Sequence, residues 1–339
     1  MQTLHLTDKE YDLSQAATLL RDGQLVAIPT ETVYGLAADA RNGAAVASIF
    51  TAKGRPMDNP LIVHIADMSE LPLLVAEIPP QALALAAAFW PGPLTMIFKK
   101  GDSVPNEVSA GLQTVAVRMP SHPVARNLIR LSGCPLAAPS ANRSGSPSPT
   151  NAYRVAEDMD GRIAAIVDGG ECTVGVESTV IDITGETVRL LRPGAVTVEM
   201  LQAVVGAVEV DEAVLNPLKD GATAASPGMK YKHYAPSARV ILVKGSADAY
   251  ATYVNAHAAA NTVALCFDGE ERLLTVPFLT YGPRNDAKAQ AHRLFDALRR
   301  LDDEGVRVAY TACPSTDGVG LAVYNRLLRA AGFEVIILE

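Results

Sequence analysis

Short apolar runs, each bounded closely by Gly or Pro, recur along the whole chain and leave little freedom in its fold. Leu25–Ile28 ends at Pro29, Leu61–Ile65 follows Pro60, Val115–Val117 leads into Arg118-Met119-Pro120, and Leu136–Ala138 stops at Pro139. Runs this short and this apolar read as buried strands. Helical stretches with stop signals lie between some of them: Ser14–Asp22 before Gly23, Ala44–Lys53 before Gly54, Pro80–Phe89, and Val124–Leu131. Other neighbours, such as Ile163–Val167, Thr179–Ile183 and Val188–Leu191, have no helix between them. The resulting class is α/β with a mixed sheet rather than a wholly parallel one.

Residues 211–237 interrupt this pattern. They lack periodicity and carry Asn216-Pro217, Gly221 and Ser226-Pro227-Gly228, the composition of a linker. A second series comes after it, with strands Val240–Val243, Val263–Phe267, Val306–Tyr310 and Val335–Leu338. Helices Ala247–His257, Ala287–Leu301 and Leu321–Ala331 alternate with them, as in a small open α/β domain with a largely parallel sheet. A chain of 339 residues is long for one core, and the reading is a domain over 1–210, a linker over 211–237 and a domain over 238–339.

Several function classes are excluded by bulk properties. The net charge of -8 gives no broad basic field for nucleic acid, although a local basic cleft is compatible with it. No apolar run is long enough to span a bilayer, since the Ala82–Trp90 stretch is cut by Pro91 and Gly92. No leader segment opens the chain, and Cys134, Cys172, Cys266 and Cys313 form no CxxC, so reduced thiols in a cytoplasm are expected. No Cys/His cluster has zinc spacing, and no protein-held metal is expected.

Polar side chains gather at the ends of the buried runs. Lys53, Arg55 and Asn59 lie at a helix end and in the Gly-Pro loop after it; two cations so close suit an anion between them, or else a solvated helix C-terminus. Thr30, Glu31, Thr32 and Tyr34 come directly after a strand, where α/β sheets hold ligands off the carboxyl ends, or where Thr30 caps the start of a helix. His64 sits inside an apolar strand, as a core residue or as a site residue. Arg118 ends a strand and needs a partner, either a ligand carboxylate or one of the protein's own acids. The Pro139–Thr150 loop offers hydroxyls and backbone N–H groups to phosphates, without a Walker A pattern. With Arg143 and Arg192, five cations stand at element ends of an acidic chain, a pattern suited to a nucleotide and a carboxylate substrate.

Taken in order, PTETVYGL (29–36), KGRPMDNPLIVHI (53–65), FWPGPLT (89–95), VAVRMP (115–120), APSANRSGSPSPT (138–150), VESTVID (176–182) and LLRPG (190–194) resemble the motifs of the threonylcarbamoyl-AMP synthases. SPGMKYKHYAP (226–236), Leu294–Arg299 and Gly320–Leu327 resemble the family's two-domain form. The resemblance implies a YrdC-like twisted mixed sheet with helices, followed by a small Rossmann-like domain. It implies the condensation of L-threonine, bicarbonate (or CO2) and ATP, with Mg2+ held mainly by the ATP phosphates, for N6-threonylcarbamoyl modification of ANN-decoding tRNAs. It also implies a downstream tRNA threonylcarbamoyl-transferase complex as partner, with at most weak contact to tRNA, and no membrane. By likeness Thr32, His64, Arg118, Ala138 (through its backbone) and Ser178 contact threonine. Lys53, Arg55, Asn59, Thr114, Ser140, Asn142, Ser148, Arg192 and Tyr234 contact ATP, with Lys53 and Arg55 the catalytic cations. The linker would fold over the site as a lid, with Lys230, Lys232 and His233 adding positive charge. Two rivals stand beside this reading: an RNA-binding module, disfavoured by 5% aromatic content, and a carbamoyl-transfer enzyme active without threonine.

Overall fold

The computed structural model describes residues 2–217 and 234–338. The central part of the linker, including Gly221, Ser226–Gly228, Lys230, Lys232 and His233, lies outside the described residues. The chain divides into two compact units.

The first unit carries strands β1 (Leu4–Thr7), β2 (Val26–Ile28), β3 (Gly35–Asp39), β4 (Ile62–His64), β5 (Leu94–Lys99), β6 (Thr114–Arg118), β7 (Leu136–Ala137), β8 (Ala165–Asp168), β9 (Thr179–Asp182), β10 (Val188–Arg192) and β11 (Val208–Val210). Its helices are α1 (Glu10–Arg21), α2 (Gly43–Lys53), α3 (Pro80–Phe89), α4 (Asn106–Ser109), α5 (Pro123–Ser132), α6 (Ala152–Met159) and α7 (Val198–Val205). The strands join in the order β1-β8-β2-β3-β7-β4-β6-β5-β9-β10-β11. Parallel pairs such as β4–β6 and β5–β9 alternate with antiparallel ones such as β5–β6 and β4–β7, as the missing helices between neighbours required.

Two elements begin where the residue pattern did not place them. α1 starts at Glu10, one turn before the expected Ser14, because Glu10 and Asp12 complement the positive helix start. β3 arises from Gly-Leu-Ala-Ala-Asp, a sequence of low strand propensity; pairing on both sides with β2 and β7 decides its conformation.

The middle of the sheet has two different faces. Val63, Met96, Phe98, Val115 and Val117 point to the side filled by Ile49 and Phe50 of α2 and Leu85 of α3, forming the main core. Among the described residues the opposite face holds the smaller cluster of Ile62, Ile97, Ala116, Val180, Leu191 and Ala213. Ala213 and Val214 are buried and are grouped with the first unit.

The second unit contains β12 (Arg239–Lys244), β13 (Thr262–Cys266), β14 (Phe278–Thr280), β15 (Val308–Ala312) and β16 (Val335–Ile337), with α8 (Ala247–His257), α9 (Ala287–Asp303) and α10 (Gly320–Ala330). All its strand pairs are parallel, in the order β14-β13-β15-β12-β16. Among the described residues no helix is long and apolar enough to cross a membrane.

Candidate active site

Register builds the site. His64 of β4 lies opposite Arg118 of β6, Arg118 opposite Thr95 of β5, Thr95 opposite Val180 of β9, and Val180 opposite Arg192 of β10. Directly paired residues share a face, so one cross-strand row carries His64, Arg118, Thr95 and Arg192, all buried, on the side of the sheet opposite the main core. Ala116 and Thr114 share that face of β6 with Arg118, at every second position. A register irregularity between Leu190 and Arg192 sets the position of the final arginine.

His64, Arg118 and Arg192 are the last residues of β4, β6 and β10, so the row stands at the carboxyl ends of these strands. Three antiparallel steps, β2–β3, β3–β7 and β7–β4, make β2 run opposite to β4 and β6. Their carboxyl ends therefore lie on opposite edges, and the loop after β2 reaches the row by crossing the face. Its Thr32 hydroxyl accepts a hydrogen bond from Arg118 Nη1 at 2.9 Å and lies 2.9 Å from the Thr30 hydroxyl. The loop is braced by backbone bonds from Tyr34 N–H to Pro149 C=O and from Gly175 N–H to Thr32 C=O.

Arg118 has the internal partner that was the alternative to a ligand. Its Nη2 lies 2.7 Å from Glu31 Oε1, both side chains are buried, and Nε donates to Gly92 C=O at 3.3 Å. Burial acts to raise the Glu31 carboxyl, but Arg118 overcomes it and holds the group below the usual carboxylate range. His64 is also lowered, to about 3, by burial and then by the Arg118 charge, so its ring is neutral.

Further along the row, the Ser178 hydroxyl lies 2.8 Å from the Thr95 hydroxyl and accepts from Arg192 Nη2 at 3.1 Å. Arg192 Nε donates to Ser178 C=O at 3.0 Å. Ser148 donates to the buried Glu177 carboxylate at 2.5 Å, beside Ser178 in sequence. Ala138 closes β7 with its N–H on Ile62 C=O.

Lys53 is not a solvated helix end. It is buried, and its ammonium donates to the backbone carbonyls of Ser140 at 2.5 Å and Asn142 at 2.6 Å. α2 ends at Gly54 in the left-handed conformation (φ 63), which turns the chain so that Lys53 points inward while Arg55 is half-buried. Lys53 thus shapes the loop carrying Ser140 and Asn142, and Asn59 is wholly buried nearby in sequence. Arg143, counted among the five cations, is exposed and donates to Asp158 C=O at 3.4 Å, away from the row. Tyr234 falls in the second unit, where its ring lies 5.2 Å from that of Phe295 and under the Arg326 guanidinium at 5.5 Å.

Thr95 escaped the residue-by-residue reading, as did the Ser148–Glu177 bond. A hydroxyl inside Leu94–Phe98, otherwise apolar, was the available signal for Thr95. Glu177 gave none, since acids before strands are ordinary.

Residues 18–194 match the family described as Telomere recombination, which covers the Sua5, YciO and YrdC proteins, and residues 196–332 match the threonylcarbamoyl-AMP synthase C-terminal domain. The threonylcarbamoyl-AMP synthase of Pyrococcus abyssi is 47% identical over 333 residues, 97% of this chain and 96% of that one. The Bacillus subtilis enzyme of the same name is 46% identical over 338 residues, 98% of this chain and 97% of that one. The crystal structure of P. abyssi Sua5 complexed with L-threonine superposes with a TM-score of 0.91 at 44% identity, covering 100% of both chains.

Proposed function

The chain belongs to the threonylcarbamoyl-AMP synthase family, in its two-domain form, and we propose that the polar row on its sheet face seats threonine and ATP side by side. The reaction joins L-threonine, bicarbonate and ATP into threonylcarbamoyl-AMP, pyrophosphate and water, for the t6A37 modification of ANN-decoding tRNAs. The threonine-bound relative supports threonine as the amino acid held.

Arg118, with Thr32 and neutral His64, takes the threonine end of the row. The guanidinium clamps the carboxylate, and Ser178 and the Ala138 backbone complete the pocket. The amine must be unprotonated to take up CO2; the resulting carbamate oxygen then attacks the α-phosphorus and pyrophosphate leaves. No protein nucleophile is needed, so positioning and charge neutralisation carry the rate. Arg192 lies at the other end of the row, and with Arg55, Asn59, Thr114, Ser140, Asn142 and Ser148 it faces ATP. Lys53 contributes by holding the Ser140–Asn142 backbone and by adding positive charge beside it.

Among the described residues no group of three His, Cys, Asp or Glu side chains could hold a metal, which suits Mg2+ carried by phosphate oxygens and water. Mg2+ bound in this way supplies further charge neutralisation. Carbamates and mixed anhydrides hydrolyse readily, so the 211–237 linker, whose central part lies outside the described residues, is given the part of a lid, with Tyr234 as a contact to ATP. The product passes to a tRNA threonylcarbamoyl-transferase complex, and the four free cysteines accord with a reducing cytoplasm.

The single observation behind this reading is the row itself, with Arg118 and Arg192 on one face three strands apart. It is tested by mass spectrometry of the products from ATP, bicarbonate and each amino acid in turn. Threonylcarbamoyl-AMP should dominate, with a minor serine product, because one methyl discriminates by only about 1–3 kcal/mol. Activity independent of any amino acid would refute it.

A further inference from the structure

Arg118 and Glu31 form a buried ion pair at 2.7 Å, and hydrogen bonds from Arg118 and from the Glu31 and Ser121 backbone favour the charged form of the Glu31 carboxyl. The other two guanidinium nitrogens are bonded to Thr32 and Gly92. The titratable groups that couple to the pair are neutral. His64 is held near 3, and burial pushes the Cys172 thiol up to about 12. Half-buried His122 is likewise pushed below its usual range, chiefly by burial. The net charge at this point of the site is that of Arg118 plus Glu31, which is zero.

A buried guanidinium alone would attract any small anion, including the bicarbonate consumed in the reaction and free phosphate. Beside a carboxylate, attraction and repulsion act on a single negative charge at similar range and largely cancel. A zwitterion avoids this cancellation because it brings one charge for each partner. We propose that Glu31 is a specificity-determining residue, which makes the threonine pocket accept a zwitterionic amino acid and turn away simple carboxylates. This inference rests on the reading of Arg118 as the threonine clamp.

The test uses the full chain and calorimetric titration with two ligands, L-threonine and 3-hydroxybutyrate, which has the same skeleton without the amino group. The unaltered protein should prefer threonine. Glu31→Gln keeps the shape and removes the charge; it should weaken threonine about tenfold or more while 3-hydroxybutyrate binds as well as before or better. Equal factors for both ligands, or no change in either, would overturn the proposal. If Glu31→Gln fails to fold, Glu31→Asp keeps the charge and should preserve the ratio of the two affinities even if both fall; a ratio shifted toward 3-hydroxybutyrate would overturn it. Arg118→Ala separates the clamp from the selector. Threonine affinity unaffected by that change refutes the clamp itself, whereas affinity lost there and an unmoved ratio in Glu31→Gln refutes only the role of Glu31.

Discussion

Arg118 shows how a single side chain ties stability to substrate binding. Removing one member of a buried ion pair leaves the other uncompensated and costs about 3–5 kcal/mol. Arg118→Ala should therefore lower the unfolding midpoint substantially as well as abolish threonine-dependent pyrophosphate release. Adding Glu31→Gln to that variant should restore much of the stability and none of the turnover, which denaturant titration and a pyrophosphate assay would read separately. Lys53→Ala should also be destabilising, since it frees the Ser140 and Asn142 carbonyls that organise the loop.

His64 makes a prediction in pH. Its folded value, about 3, lies below the ordinary 6.5, so the unfolded chain binds the extra proton first. The stability it contributes is complete above about pH 6.5 and is lost as pH falls from there toward 3, by up to about 1.4 kcal/mol per unit. His122, also shifted downward, adds in the same direction, and Glu31 joins only below its own ordinary 4.5. Thermal melts between pH 6.5 and 5 should therefore be flatter for His64→Gln than for the unaltered protein. An identical slope would mean that the ring is charged or exposed in the folded state.

Elements hold the row in register through close backbone contacts. A Cβ at Gly194 would stand 2.4 Å from Thr179 N and 2.7 Å from its Oγ1, at the start of β9 beside Ser178. Gly194→Ala must push β9 and β10 apart and so displace both Ser178 and Arg192. We expect it to reduce kcat/KM for both substrates more than it reduces stability, measured by steady-state kinetics alongside thermal melts. Gly54 differs, since a Cβ there meets nothing within 4 Å and only the positive φ opposes it. Gly54→Ala should cost about 1 kcal/mol through the backbone alone. Activity should fall only as far as Arg55 moves.

At the scale of the whole molecule, the first unit has its own core and includes Val214. A cut after Val214 keeps the buried Ala213 and Val214, which a cut after Val210 would discard. The shorter chain should fold, by circular dichroism, and the lid proposal expects it to turn over slowly, with the carbamate and the adenylate open to water. Undiminished turnover would remove the lid from the mechanism.

Buried runs such as Val115–Val117, the Gly54 helix stop and the mixed sheet were all legible in the sequence, because burial, left-handed caps and missing crossovers are local properties. The motif residues pointed to an anion and a carboxylate for the same reason: Arg and Lys at element ends carry their chemistry with them. Tertiary structure alone decided which partner each charge has. The sequence cannot say that Lys53 turns inward onto two carbonyls, that Arg143 turns out, or that Glu31 lies against Arg118. Nor could it put Thr95 between two arginines, since the row is created by strand register, and register depends on pairings between residues far apart in the chain.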